Sequence, residues 1–143
     1  MTRFHNGRSM VGMFAVAGGI AVVAIAAGGG VATNAAPLPA ADPVKGKTVF
    51  ARCAGCHSLA PTGVSGIGPN LVGVVGRRAG SLPTYRYSPA MKAAGLKWDE
   101  ANLSRFLSGP TKTVPGTKMM AAPIANPQDR ANVIAYLKTG SAR

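Results

Sequence analysis

Residues 53–57 read Cys53-Ala54-Gly55-Cys56-His57. Two thiols at this spacing fall within one helical turn, and each can add across a vinyl group of a haem to form a thioether. The imidazole of His57 is then presented to the iron, and the porphyrin is fixed against the end of the helix that carries the motif. Other chemistries fit the motif less well. A thioredoxin-type dithiol follows a strand in a βαβ unit, and no such pattern is present. A zinc site needs four N or S ligands, whereas the chain beyond its N-terminal segment offers two Cys and one His. A lone His is more often structural than ligating; its place directly after Cys56 reverses that expectation.

Outward from the motif, the punctuation predicts helices. Asp42-Pro43 is a cap followed by Pro at the first helical position, and Gly46, Val49, Phe50 and Cys53 then share one face. Ser88-Pro89 repeats the cap, and Gly95 ends that short helix. Asp99 caps a third through Ala101, Leu103, Phe106 and Leu107, stopped by Gly109-Pro110. Asn126-Pro127 caps a fourth, with Asp129 in its positive first turn and an apolar face of Val133, Ile134, Tyr136 and Leu137, ending at Gly140. No stretch alternates with period two, so the expected class is all-α, about four helices joined by long loops.

The composition agrees. Of 143 residues 19 are Gly and 11 are Pro, roughly twice the usual share of about 12%. Such a small, loop-rich domain cannot bury much surface and needs a disulfide, metal or cofactor to complete it. Two Cys three positions apart cannot supply a long staple. A haem in the centre can.

The N-terminus reads as a leader. Arg3, His5 and Arg8 precede Met10–Ala32, which has no charged residue. This is the pattern of a cleaved signal, with Gly30-Val31-Ala32 as the small-x-small site, or of an uncleaved membrane anchor. Either way the remainder lies outside the cytoplasm, in the periplasm, soluble or tethered. Residues 33–41 read as an Ala/Pro linker and 42–143 as one domain. The net charge is +12 overall. From Thr33 onward there are 14 Lys and Arg against 4 Asp and Glu, so the basicity belongs to the domain. Gly73-Val74-Val75-Gly76 followed by Arg77-Arg78 has the outline of a nucleic-acid-binding GXXG loop, but lacks its βαα context; no nucleic-acid partner is expected.

A second axial donor is available from Met91, Met119 or Met120. A single Met is ordinarily core filler, and Met91, in a short helix, fits that role. Met119 lies in the loop Val114-Pro115-Gly116-Thr117-Lys118-Met119, whose Pro and Gly can hold a ligand over a planar group; Met120 is the fallback. Met opposite His raises the haem potential and suits electron transfer.

Taken together, these motifs resemble the class I cytochromes c, of the mitochondrial and bacterial cytochrome c2 type. The resemblance spans about Pro43 to Lys138 and rests on motifs in order: Gly46-Lys47 to Phe50, the Cys53–His57 motif, Gly68-Pro69-Asn70-Leu71, Gly73–Arg77, Tyr87, Trp98, Pro115–Met119 and Ala135-Tyr136-Leu137-Lys138. It implies the small cytochrome c fold around one covalent haem c. Cys53 and Cys56 are then the thioether anchors, and His57 and Met119 the iron ligands. The Pro69 carbonyl accepts the His57 ring N–H. Arg77, Tyr87 and Trp98 meet a buried propionate, Thr117 supports the methionine loop, and Gly46 lets the first and last helices cross against Val133 and Tyr136. Two positions depart from the family. Phe106 stands where a Tyr usually reaches the Met sulfur, and Ala121 where a Phe usually covers the haem edge.

The function implied is one-electron transfer, not enzymatic catalysis. A basic surface, with Lys47, Arg52, Lys112 and Lys118 as candidates, would meet acidic docking surfaces of redox proteins. By the resemblance these are a cytochrome bc1 complex as donor and a terminal oxidase or reaction centre as acceptor. Membrane contact is expected only if the leader is retained. The alternative is an open-iron haem protein with peroxidase-like or gas-sensing activity, in which Met119 is not bound.

Overall fold

The computed structural model describes residues 39–140. The leader expected over 1–32 and the linker residues 33–38 lie outside the described residues. The chain around Ala40 and Asp42 is tied down: Gln128 Nε2 donates to the Ala40 carbonyl (2.6 Å) and the Asp42 N–H donates to Asn132 Oδ1 (2.9 Å).

The helices are α1 Pro43–Phe50, α2 Pro89–Ala93, α3 Glu100–Ser108, α4 Pro110–Thr113 and α5 Pro127–Thr139. Four begin where the sequence punctuation places them. Asp42, Ser88, Asp99 and Asn126 each accept a backbone N–H from the turn they cap. Gly95 follows α2 with φ +65°, the left-handed conformation that ends a helix.

Three details differ from expectation. A fifth helix, α4, follows Gly109-Pro110, which sequence reading takes only as a stop; Pro at the first helical position also starts a turn. Cys53 does not lie on α1. That helix ends at Phe50, and residues 51–56 continue as turns, with the Cys53 N–H on the Phe50 carbonyl (2.8 Å) and the His57 N–H on the Cys53 carbonyl (2.9 Å). Among the described residues, a single antiparallel bridge pairs Arg78 with Lys97.

α5 is the organising element: α1 and α3 both pack on it. A Cβ on Gly46 would lie 2.0 Å from the Asn132 carbonyl oxygen and 2.8 Å from Tyr136 Cβ. The backbone of α5 therefore closes directly on α1, and Asn132 takes the place expected for Val133. The Phe50 and Tyr136 rings pack beside the crossing, tilted by 56° with centroids 5.4 Å apart, while Val133 is buried in the core. Among the described residues no helix is long and apolar enough to cross a membrane.

All four acidic residues of the domain sit at helix N-termini. Asp42 and Asp99 are caps, and Glu100 and Asp129 occupy first turns. Asp42 also pairs with Lys45, and Glu100 with Lys138. These carboxylates offset helix poles and leave most of the basic surface without an acidic neighbour.

Candidate haem-binding site

The described core is built around a cavity of about 580 Å³. Nine of the thirteen buried hydrophobic residues line it, among them Phe50, Trp98, Phe106 and Leu137. Close-packed protein interiors hold few voids larger than a water molecule, so an apolar-lined space of this size is one that the chain's own side chains leave for a bound group. The polypeptide does not complete its own core, as its Gly and Pro content predicts.

Cys53, Cys56 and His57 reach the cavity from the turns after α1. Both thiols are free. Burial pushes the Cys53 thiol up; the neighbouring Arg52 opposes this and Cys56 adds to it. His57 is held by the loop opposite. Its Nδ1 lies 2.8 Å from the Pro69 carbonyl. A carbonyl can only accept, so Nδ1 carries the proton and the Nε2 lone pair is left for a metal. The Pro69 carbonyl is itself fixed from both sides: Gly68 N–H donates to the Cys56 carbonyl (2.8 Å), and Leu71 N–H to the Ser58 carbonyl (2.9 Å). Gly68 packs flat on the imidazole, where a Cβ would stand 2.4 Å from Cε1 and 2.7 Å from Nδ1.

Met119 lines the same cavity from the loop between α4 and α5. Its N–H donates to Thr117 Oγ1 (3.2 Å), and Thr117 is buried. Met120 is 83% exposed at the cavity mouth, and Met91 is buried in the core. Ile67 and Ala121 also stand exposed at the mouth.

Pro69, Arg77, Tyr87, Trp98 and Thr117 all line the cavity as well. The Arg77 guanidinium donates to the Val72 carbonyl (2.9 Å) and the Asn70 carbonyl (3.0 Å). Its neighbour Arg78 is exposed, so the two arginines after Gly76 do not form one patch. Burial lowers the Arg77 pKa, with Tyr87 opposing. Burial raises the Tyr87 phenol; Arg77 and a Leu82 backbone hydrogen bond oppose the shift, and Tyr85 reinforces it. A half-buried guanidinium with neutral carbonyl partners suits an added carboxylate. Phe106 is buried against Trp98, ring centroids 5.0 Å apart.

These features fit a haem: an apolar cavity of cofactor size, two thiols beside an imidazole with a fixed tautomer, a thioether on the lining and a cation for a carboxylate. Among the described residues no cluster of His, Cys, Asp or Glu offers a different metal site.

Of the four cations singled out for docking, Arg52 and Lys118 line the cavity, while Lys47 and Lys112 are exposed elsewhere. Sequence reading assigns no role to three further residues. Buried Asn70 donates to the Ala60 carbonyl (3.0 Å) and accepts the Val72 N–H (2.8 Å), holding the loop that carries Pro69. The Tyr85 hydroxyl donates to the Ile67 carbonyl (2.7 Å). Arg130 bonds the end of the Met119 loop. Asn70 stands inside a motif already noted; the other two carry no local pattern that reveals their partners.

Comparison with known proteins agrees with this geometry. The cytochrome c family model matches residues 43–141. A cytochrome c2 of Rhodomicrobium vannielii is 52% identical over 106 residues, covering 74% of this chain and 85% of that protein. A cytochrome c2 of Rhodoblastus acidophilus is 46% identical over 98 residues, covering 68% and 92%. The solved structure of cytochrome cH from Methylobacterium extorquens superposes with a TM-score of 0.65 at 44% identity, over 68% of this chain and 98% of that one.

Proposed function

The chain belongs to the cytochrome c family, as a cytochrome c2-type electron carrier with one haem c at Cys53 and Cys56, and from this we propose that His57 and Met119 are the axial ligands of a periplasmic one-electron shuttle. When bound, the haem supplies an Fe(III)/Fe(II) couple in which no substrate bond is made or broken. The remaining work falls to the chain. Pro69 holds the His57 proton on Nδ1 and raises the basicity of Nε2. Thr117 orients Met119 by accepting its N–H. Arg77, with Tyr87 and Trp98 beside it, balances a propionate inside a low-dielectric wall. Apolar lining residues keep water away, so that little rearranges as the charge on the iron changes.

The observation that carries this is the arrival of an imidazole of fixed tautomer and a half-buried thioether at one apolar cavity. The exposure of Met120 favours Met119 as the donor. The oxidised holoprotein should show a Met-to-iron charge-transfer band that is lost in Met119→Ala, with a markedly lower potential, and kept in Met120→Ala. A high-spin spectrum in the wild type would instead support the open-iron alternative, and loss of the band only in Met120→Ala would move the ligand.

The partners follow from charge. Arg52 and Lys118 at the mouth, beside exposed Ile67 and Met120, suit the acidic rim and apolar centre of a redox partner. We assign the donor as a bc1-type complex and the acceptor as a terminal oxidase or reaction centre, met in small, transient encounters that salt weakens. Residues 1–32 are assigned as the export leader, 33–41 as linker and 42–143 as the haem domain. The mass of the native protein reports leader cleavage and haem addition together.

A further inference from the structure

We infer that Arg130 is a positioning residue for the Met119 loop, fastening its returning limb so that the sulfur stays over the cavity; this rests on Met119 being the iron ligand. The outgoing limb is well held. Val114 N–H donates to the Pro110 carbonyl (2.9 Å), Thr117 N–H to the Val114 carbonyl (3.0 Å), and Lys118 Nζ to the Arg86 carbonyl (3.2 Å). Beyond Met119 the support stops. Residues 120–123 are exposed and make no hydrogen bond among the described residues.

The chain is gripped again only at Ile124 and Ala125. Ile124 is buried, and its N–H donates to the Leu107 carbonyl (2.9 Å). The other two bonds come from one side chain. Arg130 Nη1 donates to the Ile124 and Ala125 carbonyls, both at 2.8 Å, while its Nε donates to Ser104 Oγ (3.0 Å) on α3. Ser104 is buried. A single guanidinium therefore locks the loop end to both α3 and α5.

Two features of Arg130 bear on this role. It pairs with no carboxylate among the described residues, so its bonds go to neutral acceptors. It is also the fourth residue of α5, near the positive pole, where a cation is electrostatically disfavoured. A locally unfavourable choice held in place by three hydrogen bonds marks a positional role.

Opening of the loop exposes the iron to outside ligands, and their apparent affinity scales with the open fraction. The test is imidazole titration of the full-length ferric holoprotein under conditions far from unfolding, with the Met-to-iron band followed in parallel. Losing charge-assisted bonds to the loop end should tighten imidazole binding about tenfold or more in Arg130→Ala. Arg130→Lys keeps the charge but loses the planar fork, and should behave like the Ala variant. Ser104→Ala, which removes one anchor of the guanidinium and spares the loop bonds, should shift in the same direction by a smaller factor.

Asn132→Ala is the control for plain instability. Asn132 accepts from Asp42 N–H (2.9 Å) and Gln128 Nε2 (3.0 Å) on the same helix but away from the loop. It should lower denaturant stability while leaving imidazole affinity within about twofold. If Arg130→Ala tightens imidazole no more than Asn132→Ala does, or if Arg130→Lys matches wild type, the fastening role is wrong. Met119→Ala, run alongside, separates the two assignments: if it leaves the band intact, the ligand assignment fails; if it removes the band while Arg130→Ala is silent, only the role of Arg130 fails.

Discussion

Replacing Gly68 with Ala tests how firmly the His57 imidazole is fixed. The added Cβ would lie 2.4 Å from Cε1, 2.7 Å from Nδ1 and 2.9 Å from Nε2, about 1 Å inside ordinary contact with all three ring atoms. A free side chain would swing away. This ring cannot do so cheaply, because Nδ1 is bound to the Pro69 carbonyl at 2.8 Å and, under the proposed ligation, Nε2 would be held by the iron. Retreat of Gly68 is blocked as well, since its N–H is bonded to the Cys56 carbonyl. Overpacking of this kind costs about 1–3 kcal/mol, and breaking the Nδ1 bond adds about 0.5–1.5 kcal/mol. The combined loss, ~1.5–4.5 kcal/mol, corresponds to a fall in Tm of at least ~6 °C for a domain of this size. The potential should move too. A less basic imidazole favours Fe(III) less, so the potential should rise. If half of a ~1 kcal/mol bond discriminates between oxidation states, the rise is about 20 mV, on a scale where tenfold is about 59 mV for one electron. Thermal unfolding and protein-film voltammetry of the holoprotein read both quantities. A variant as stable as wild type with an unchanged potential would refute the claim that Gly68 and Pro69 together clamp the ring.

Gly46→Ala should be at least as damaging, about 3 kcal/mol or more, because its Cβ meets backbone of α5 rather than a mobile side chain; chemical denaturation with the haem spectrum intact would measure it, and a loss below about 1 kcal/mol would mean that the helices can part without cost. Cys53→Ala combined with Cys56→Ala should leave haem extractable and the haem-free chain largely unfolded, since a cavity of about 580 Å³ then has nothing covalently held in it. A cooperative, stable apoprotein by circular dichroism would contradict the idea that the cofactor completes the core.

Much of this architecture is local in origin and therefore legible along the chain. Asp42, Ser88, Asp99 and Asn126 satisfy N–H groups only two or three residues away, so their helix starts can be read without knowing the fold. The Cys53–His57 motif is likewise local, because its chemistry needs only one turn of backbone. The single-turn helix α4 escaped because Gly109-Pro110 ends one helix and opens another, and the same two residues serve both ends. Cys53 reads as part of α1 because residues in turns after a helix keep similar spacing for another three or four positions.

By itself, the sequence determined the all-helical class, the haem attachment, the excess of positive charge and, through ordered motifs, the residues that gather at the cavity. Tertiary structure decided how those residues are held. His57 is set by a carbonyl twelve positions away, Gly46 by the backbone of α5 some ninety residues on, and the Met119 loop by a guanidinium that reaches back from Arg130 to Ser104. A hydrogen bond or close contact between distant residues has no periodicity and no fixed spacing, so nothing in the linear order specifies it. It exists only once the helices have crossed.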